Sequence, residues 1–117
     1  MPLIQIFTSA PPPAASAKDA LHADLSRLLA QGFSKPERWC MTCLLPNLDM
    51  TFGGQTAPSC FVAVRNVGTM TPAQTEKLSA AICQRLSTAM NVPIDRIFIE
   101  FGDVQPYLWG WNGETFA

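Results

Sequence analysis

The sequence has 117 residues, 48% of them hydrophobic and 15% charged, which is long and apolar enough for one folded domain with a core. Its formal net charge is −1 and it contains no basic run, which argues against a nucleic-acid or anionic-membrane partner. No apolar run approaches the roughly 20 residues of a membrane span, and no signal peptide is visible. We expect a cytoplasmic protein, with leaderless secretion as the alternative.

The first part of the chain reads as a strand, a helix and a second strand. Residues 3–7 form the first strand, and three consecutive prolines at 11–13 break it. A helix follows, with Ser16 as its expected N-cap and Gly32 as its expected end, because leucines recur between them with the period of an amphipathic helix. Residues 39–45 predict the second strand.

The second part repeats this order after a loop rich in Gly and Pro. Residues 60–67 predict the third strand. The run 71–74, Thr-Pro-Ala-Gln, predicts a helix start with Thr as N-cap, Pro at the first helical position and Gln at the capping-box position. Pro93 is expected to end this helix, and residues 96–101 predict the fourth strand. The pair Asn112-Gly113 is typical of a two-residue hairpin turn.

These elements predict a single α/β domain over residues 1–117, with two pseudo-symmetric βαβ repeats at about 2–46 and 58–102 and a C-terminal hairpin tail at 107–117. The two strands of each repeat should be parallel with a right-handed crossover, which gives a four-stranded sheet with two helices on one face. The first two strands are apolar on both faces. Because two helices cover only one face, we expect copies of the chain to bury the other in an oligomer.

The four cysteines are Cys40, Cys43, Cys60 and Cys83. The first two have the CxxC spacing of redox and zinc sites. They fall in a predicted strand, where residues three apart point to opposite faces, and the lone His22 lies in a predicted helix. We therefore expect no metal site and interpret the cysteines as buried apolar residues.

Pro2 follows the initiator methionine, which aminopeptidases remove before a small residue. The mature chain would then begin with the secondary, cyclic amine of Pro2. A free α-amine titrates near ~7.7–8.0, and burial or a nearby cation lowers its pKa. Such an amine suits base catalysis near neutral pH. By itself, a proline here also fits a purely structural role at the start of a strand.

Four stretches carry a family resemblance over the whole chain: residues 1–4 (MPLI), 35–36 (KP), 50–54 (MTFGG) and 110–116 (GWNGETF). With the two βαβ repeats, they resemble the macrophage migration inhibitory factor family of the tautomerase superfamily. The resemblance implies a homotrimer whose three sheets enclose a central channel. It also implies active sites at the subunit interfaces.

The activity that this resemblance implies is phenylpyruvate-type keto–enol tautomerisation of small aromatic 2-oxo acids, without a cofactor. Pro2 is implied as the general base, and Lys35 as the residue near the substrate carboxylate. The implied substrate-binding positions are Val67, Phe98, Glu100, Trp109, Trp111 and Phe116. Of these, Phe98 and Glu100 are expected to come from a neighbouring subunit.

The chain departs from the vertebrate members at several of these positions. Phe98 lacks the hydroxyl of a pocket tyrosine, and Trp109 replaces a small aliphatic residue. Glu100 replaces an asparagine, and its carboxylate should repel an anionic substrate and raise the pKa of a nearby amine. The CxxC of the family would fall near 59–62, where only Cys60 lies, so redox activity is not implied here.

Each of these residues also has a structural interpretation. Lys35 could be a solvated loop residue, Glu100 a strand residue facing solvent, and the tail aromatics ordinary packing at a subunit interface. The alternative function is a cytokine-like interaction protein with a protein receptor, in which the tautomerase pocket is vestigial or serves a second role.

Overall fold

Two helices and six strands make up the structure, a computed structural model that describes residues 1–117. In chain order they are β1 (Pro2–Thr8), α1 (Ala15–Phe33), β2 (Met41–Leu45), β3 (Cys60–Val67), α2 (Pro72–Met90), β4 (Ile97–Val104), β5 (Gly110–Trp111) and β6 (Glu114–Thr115). Single 3-10 turns at Glu37–Trp39, Ile94–Arg96 and Pro106–Leu108 precede β2, β4 and β5. Neither α1 nor α2 has the length and apolarity of a membrane-spanning helix.

Four strands form one sheet in the order β2-β1-β3-β4. β1 pairs in parallel with β2, and β3 with β4, whereas the central strands β1 and β3 are antiparallel. Each parallel pair is connected through a helix, so the predicted βαβ order and four-stranded sheet are confirmed. β5 and β6 form the predicted hairpin, in which Asn112 and Gly113 have φ values of 52° and 80°.

One face of the sheet packs against both helices. Alternate residues of β1 and β3 point to this face, where Ile4, Ile6, Val62 and Val64 are fully buried. The helices contribute Leu21, Leu25, Leu29 and Phe33 from α1, and Leu78, Ile82, Leu86 and Met90 from α2. The periodic apolar residues that predicted the two helices are therefore the residues that form the core.

The ends of α1 differ from those predicted. Its N-cap is Ala14, which makes no side-chain cap, and Ser16 is already the second helical residue. The helix continues past Gly32 to Phe33 and ends at Ser34, which has a left-handed φ of 53°. A Cβ on Gly32 would lie 2.7 Å from Leu78 Cδ2, so this glycine allows α1 and α2 to approach closely and does not end the helix.

The start of α2 is as predicted. The Thr71 hydroxyl accepts a hydrogen bond from Gln74 N at 3.2 Å, and the Gln74 side chain accepts one from Thr71 N at 2.9 Å. The helix ends at Met90, before Pro93, because Asn91 adopts a left-handed φ of 57°.

The strand bounds also shift. β2 begins at Met41 and not at residue 39, because Cys40 N still closes the preceding 3-10 turn on Glu37 O at 2.9 Å. β4 runs from Ile97 to Val104, three residues beyond the predicted end, through its parallel pairing with β3.

Neither helix covers the second face of the sheet, which we call the open face. An apolar row crosses all four strands there, formed by the register partners Leu45, Phe7, Phe61 and Phe98. The neighbouring row contains Gln5 and Glu100, so this face is only partly apolar, in contrast to the expectation for the first two strands. Phe98 is 64% exposed and Met41, on the same face, is also 64% exposed.

The cysteines are all free thiols. Cys60 and Cys83 are buried, as predicted, but Cys40 and Cys43 are only half-buried. That prediction is wrong for the CxxC pair because β2 is the edge strand of the sheet, and Cys40 lies in the turn before it.

Candidate active site

Pro2 is the first residue of the central strand β1, and its side chain is fully buried. Its direct partner in the antiparallel pairing with β3 is Asn66. Because Ile4 and Ile6 point to the helices, Pro2, two residues earlier, lies on the same side of the sheet. The first residue of β1 is therefore buried, whereas Met1 before it is half-buried.

Lys35 is held beside this strand end by the backbone geometry at the end of α1. Its N–H donates to Ala30 O at 2.9 Å, which completes the helix end after the left-handed Ser34. Its Nζ donates to the carbonyl oxygen of Val67 at 3.2 Å. Since Val67 follows the partner of Pro2 on β3, the structure brings Pro2, Lys35 and Val67 together.

The environment of the N-terminal amine, beside Lys35, favours its neutral form. Burial lowers the pKa of the Met1 amine below its ordinary value, and the Lys35 charge lowers it further, whereas Cys40 opposes the shift. Burial also raises the pKa of the Cys40 thiol, with Glu37 adding to the effect and the N-terminal amine opposing it. Near neutral pH, the thiol therefore carries little negative charge.

An aromatic cleft of about 230 Å³ opens beside the N-terminus. Its walls are Met1, Arg38, Trp39, Cys40, Met41, Trp109, Gly110, Trp111 and Phe116. The Trp39 ring lies edge-on to Trp111, with 4.7 Å between centroids, and edge-on to Phe116 at 5.8 Å. The predicted tail residues Trp109, Trp111 and Phe116 therefore meet the chain's N-terminus in one site.

Two cleft residues were not singled out from the sequence. Trp39 falls in the 3-10 turn after Pro36, and Arg38 lies beside it with its guanidinium carbon 5.5 Å from the Trp39 ring centroid. The sequence offered one indication of their role, which is their position just after Lys35-Pro36. Trp39 was instead assigned to the predicted strand at 39–45.

Phe98 and Glu100 are not part of this cleft. Both lie on β4, at the edge of the sheet opposite β2. Phe98 packs against Phe52, with 4.6 Å between ring centroids, in a separate pocket of about 290 Å³. Glu100 is exposed on the open face. A single chain therefore does not bring these two residues to Pro2.

A larger cleft of about 770 Å³ lies between α2 and the end of the chain's second repeat, where Pro72, Cys83, Ile94 and Phe101 line it. Its lining contains no cation that could hold a carboxylate, and burial raises the pKa of the Cys83 thiol. The lining of the smaller aromatic cleft, in contrast, includes the cation Arg38 and Met1, whose amine has its pKa lowered by burial and by the nearby Lys35 charge.

The fold and this N-terminal cleft define a class of small α/β protein with a proline after the initiator methionine. The family model described as macrophage migration inhibitory factor (MIF) matches residues 1–117. The MIF of Xenopus tropicalis is 35% identical over 102 residues, covering 87% of this chain and 89% of that protein. The MIF of Rattus norvegicus is 31% identical over the full length of both chains.

Solved structures agree with this assignment. A MIF homologue from Prochlorococcus marinus superposes with a TM-score of 0.92 at 41% identity, covering 98% of this chain and 99% of that one. The Toxoplasma gondii MIF gives a TM-score of 0.91 at 27% identity, covering 97% and 99%. The chain belongs to the macrophage migration inhibitory factor family, which confirms the resemblance found in the sequence.

Proposed function

We propose that the chain, after removal of Met1, is a keto–enol tautomerase of phenylpyruvate-type substrates and that the Pro2 amine is its general base. The observation that carries this proposal is the hydrogen bond of 3.2 Å from Lys35 Nζ to Val67 O. It holds a cation beside the buried first strand residue and next to an aromatic cleft. Family membership supports a MIF-like function in general, and the substrate class is our inference.

The reaction needs one base and a place for negative charge. The neutral amine takes a proton from the carbon next to the carbonyl. The electron pair of that C–H bond forms the C=C bond of the enol while the π pair of the C=O bond moves to oxygen, which takes a proton from water. The ammonium formed at Pro2 then gives its proton to the solvent, which restores the neutral base. Such positioned proton transfer typically contributes about 10²–10⁴-fold to a rate.

The other site residues have binding roles in this proposal. Lys35 pairs with the substrate carboxylate, with Val67 lining the same end of the site. Trp109, Trp111 and Phe116 hold the aromatic ring, since aromatic side chains favour offset or edge-on contacts at these spacings.

We also propose a homotrimer in which Phe98 and Glu100 of one subunit complete the site of the next. This assembly would bury the apolar row of the open face around a central channel. The separation of the two residues from the aromatic cleft within one chain supports a site shared between subunits. The cytoplasm is the proposed location.

The second candidate function is a cytokine-like interaction protein that binds a receptor and is secreted without a leader. The observation in its favour is the exposed apolar surface near the cleft, where Leu108 is 62% and Trp111 55% exposed. In that case, the cleft would carry a vestigial or secondary tautomerase activity.

The pH dependence of kcat/KM on phenylpyruvate tests the proposed base. Because only the neutral amine can accept a proton, the rate should rise with pH. The apparent pKa should lie below the ~7.7–8.0 of a free α-amine, since Pro2 is buried and lies near Lys35, and burial and the Lys35 charge are the two causes that lower the pKa of the Met1 amine one residue earlier. A Pro2→Gly variant keeps a primary amine and should retain reduced activity with the same direction of pH dependence. A rate that is flat with pH, or that falls as pH rises, contradicts the proposal.

A further inference from the structure

Asn66, on β3, is a buried polar residue with an unused acceptor. The residue is only 3% exposed, and its Oδ1 accepts no hydrogen bond from any donor of the chain. The only other buried side-chain atom in this state is Ser59 Oγ, near the opposite end of β3. Buried acceptors are nearly always paired in folded proteins, so an unpaired one calls for a specific donor.

The register of the sheet indicates which donor this is. Asn66 lies directly opposite Pro2 in the antiparallel pairing of β1 with β3. The next pairs on the same side, Ile4 with Val64 and Ile6 with Val62, are buried under the helices. Pro2 and Asn66 therefore share one face, where directly opposite Cβ atoms are about 4.5–5.5 Å apart.

The nitrogen of Pro2 changes its hydrogen-bonding capacity when Met1 is removed. In a Met1–Pro2 amide it carries no hydrogen. As the free secondary amine it carries one N–H and one lone pair, and as the ammonium it carries two N–H groups. A donor thus arises at the residue that faces the unpaired acceptor.

We propose that Asn66 is a positioning residue whose Oδ1 accepts a hydrogen bond from the Pro2 nitrogen of the mature chain. The inference rests on the proposed function of Pro2. With the single N–H of the neutral amine held on Asn66, the lone pair points away from the core and toward the cleft that Met1 lines. In the ammonium, one N–H stays on Asn66 and the other exchanges its proton with the substrate.

The charges around Pro2 come from several elements. Lys35, after α1, and the Cys40 thiol, before β2, shift the pKa of the Met1 amine in opposite directions, and we expect both to act on the Pro2 amine in the same way. Asp103 on β4 is the register partner of Asn66, and its carboxylate accepts a hydrogen bond from Met70 N at 2.9 Å. In the proposed trimer, Glu100 of a neighbouring subunit also faces the site. An acceptor on the ammonium raises the Pro2 pKa and so offsets part of the Lys35 effect.

Nitrogen-15 NMR titration of the mature protein, labelled at proline, measures this pKa without relying on turnover. Asn66→Leu removes the acceptor at similar size, and we expect the Pro2 pKa to fall by roughly half a unit or more. Its kcat should fall about tenfold with KM changed less than about twofold, because the substrate contacts remain. Asn66→Asp keeps an acceptor and adds a charge, so the pKa should rise. Ser59→Ala, the matched control, should leave the pKa unchanged.

The fall of the Pro2 pKa on removal of the acceptor is the deciding result, because leucine adds no charge, whereas a carboxylate at this position raises the pKa of any nearby amine. If Asn66→Leu does not fold, Asn66→Ala removes the same acceptor with less bulk and should lower the Pro2 pKa in the same direction. A Pro2 pKa that is unchanged or rises when the acceptor is removed overturns the inference. A pKa that falls in Asn66→Leu, in a protein whose wild type does not tautomerise phenylpyruvate, would support the role of Asn66 and refute the proposed function.

Discussion

Lys35 joins the two halves of the chain at the candidate site, because it leaves the end of α1 and donates to the last residue of β3. Its Nζ has one backbone acceptor and no carboxylate within ion-pair distance. Two of the three ammonium hydrogens can therefore turn to a substrate carboxylate.

This geometry predicts the effect of Lys35→Ala. The KM for phenylpyruvate should rise roughly 10- to 150-fold, because a charge-assisted hydrogen bond contributes roughly 1.5–3 kcal/mol. The kcat should change less, since the carboxylate is held in the ground state and the transition state alike. Steady-state kinetics against Lys77→Ala, an exposed lysine on α2, provides the comparison. An unchanged KM removes Lys35 from the site.

At the scale of single residues, neighbouring residues in the sequence predict local features such as caps and turns. The family resemblance supplied Pro2, Lys35 and Val67 as candidate site residues. Asn66 could not be found in the same way. Its relation to Pro2 depends on the antiparallel register of two strands that are more than 50 positions apart, and its burial depends on packing by the helices. The residues that flank Asn66 in the sequence indicate neither this strand register nor this burial.

At the scale of elements, the loop between β2 and β3 is held by one side chain, that of Arg96, in the 3-10 turn just before β4. The Arg96 guanidinium donates to the carbonyl oxygens of Ala57 and Pro58, both at 2.9 Å, and of Gln55 at 3.2 Å. It also lies 5.3 Å from the centroid of the Phe52 ring. This loop carries the FGG sequence and supports Phe98 through Phe52.

Arg96→Ala should therefore lower the free energy of unfolding by about 2 kcal/mol, because several backbone acceptors lose a charged donor at once. Urea denaturation at one fixed protein concentration measures the change, since dissociation of an oligomer would contribute to the unfolding. Arg27→Ala, an exposed position on α1, should stay within about 0.5 kcal/mol of the wild type. Equal effects of the two substitutions would show that the loop does not depend on Arg96.

Element ends were predictable where the signal was a side-chain cap and unpredictable where it was tertiary packing. Thr71 and Gln74 encode the start of α2 between them, and the structure has their reciprocal hydrogen bonds. Gly32 gave a false stop for α1, because its small size serves the contact with Leu78 of the other helix. The start of β2 was missed because a 3-10 turn and a strand look alike in a short apolar run.

At the scale of the whole molecule, the proposed site is incomplete in one chain. The proposed base, Pro2, begins β1, and the cation Lys35 lies between α1 and β2. Phe98 and Glu100 lie on β4, at the opposite edge of the sheet. The open face also leaves apolar side chains such as Phe98 and Met41 largely exposed. One assembly, in which the open faces of three chains meet, would account for both features.

This assembly predicts a particle three times the 12.8 kDa chain mass at micromolar concentration. Light scattering after size exclusion, or sedimentation velocity, measures it directly. A charge in the apolar row, as in Phe61→Glu, should shift the population to smaller species, whereas Glu76→Gln on the exposed side of α2 should not. A stable monomer of the wild type would contradict the trimer and the shared site.

In the proposed reaction, a free amine at Pro2 performs the proton transfer. The most direct test is phenylpyruvate tautomerisation by a variant with one alanine inserted between Met1 and Pro2, after mass spectrometry has established the N-terminus of both proteins. The insertion turns the Pro2 nitrogen into an amide, which cannot act as a base, and leaves every cleft residue other than Met1 unchanged. We predict that the wild type lacks Met1 and is active, and that the variant loses activity while its oligomeric state is unchanged. Full activity in the inserted variant would show that Pro2 is not the base and would favour the interaction-protein function.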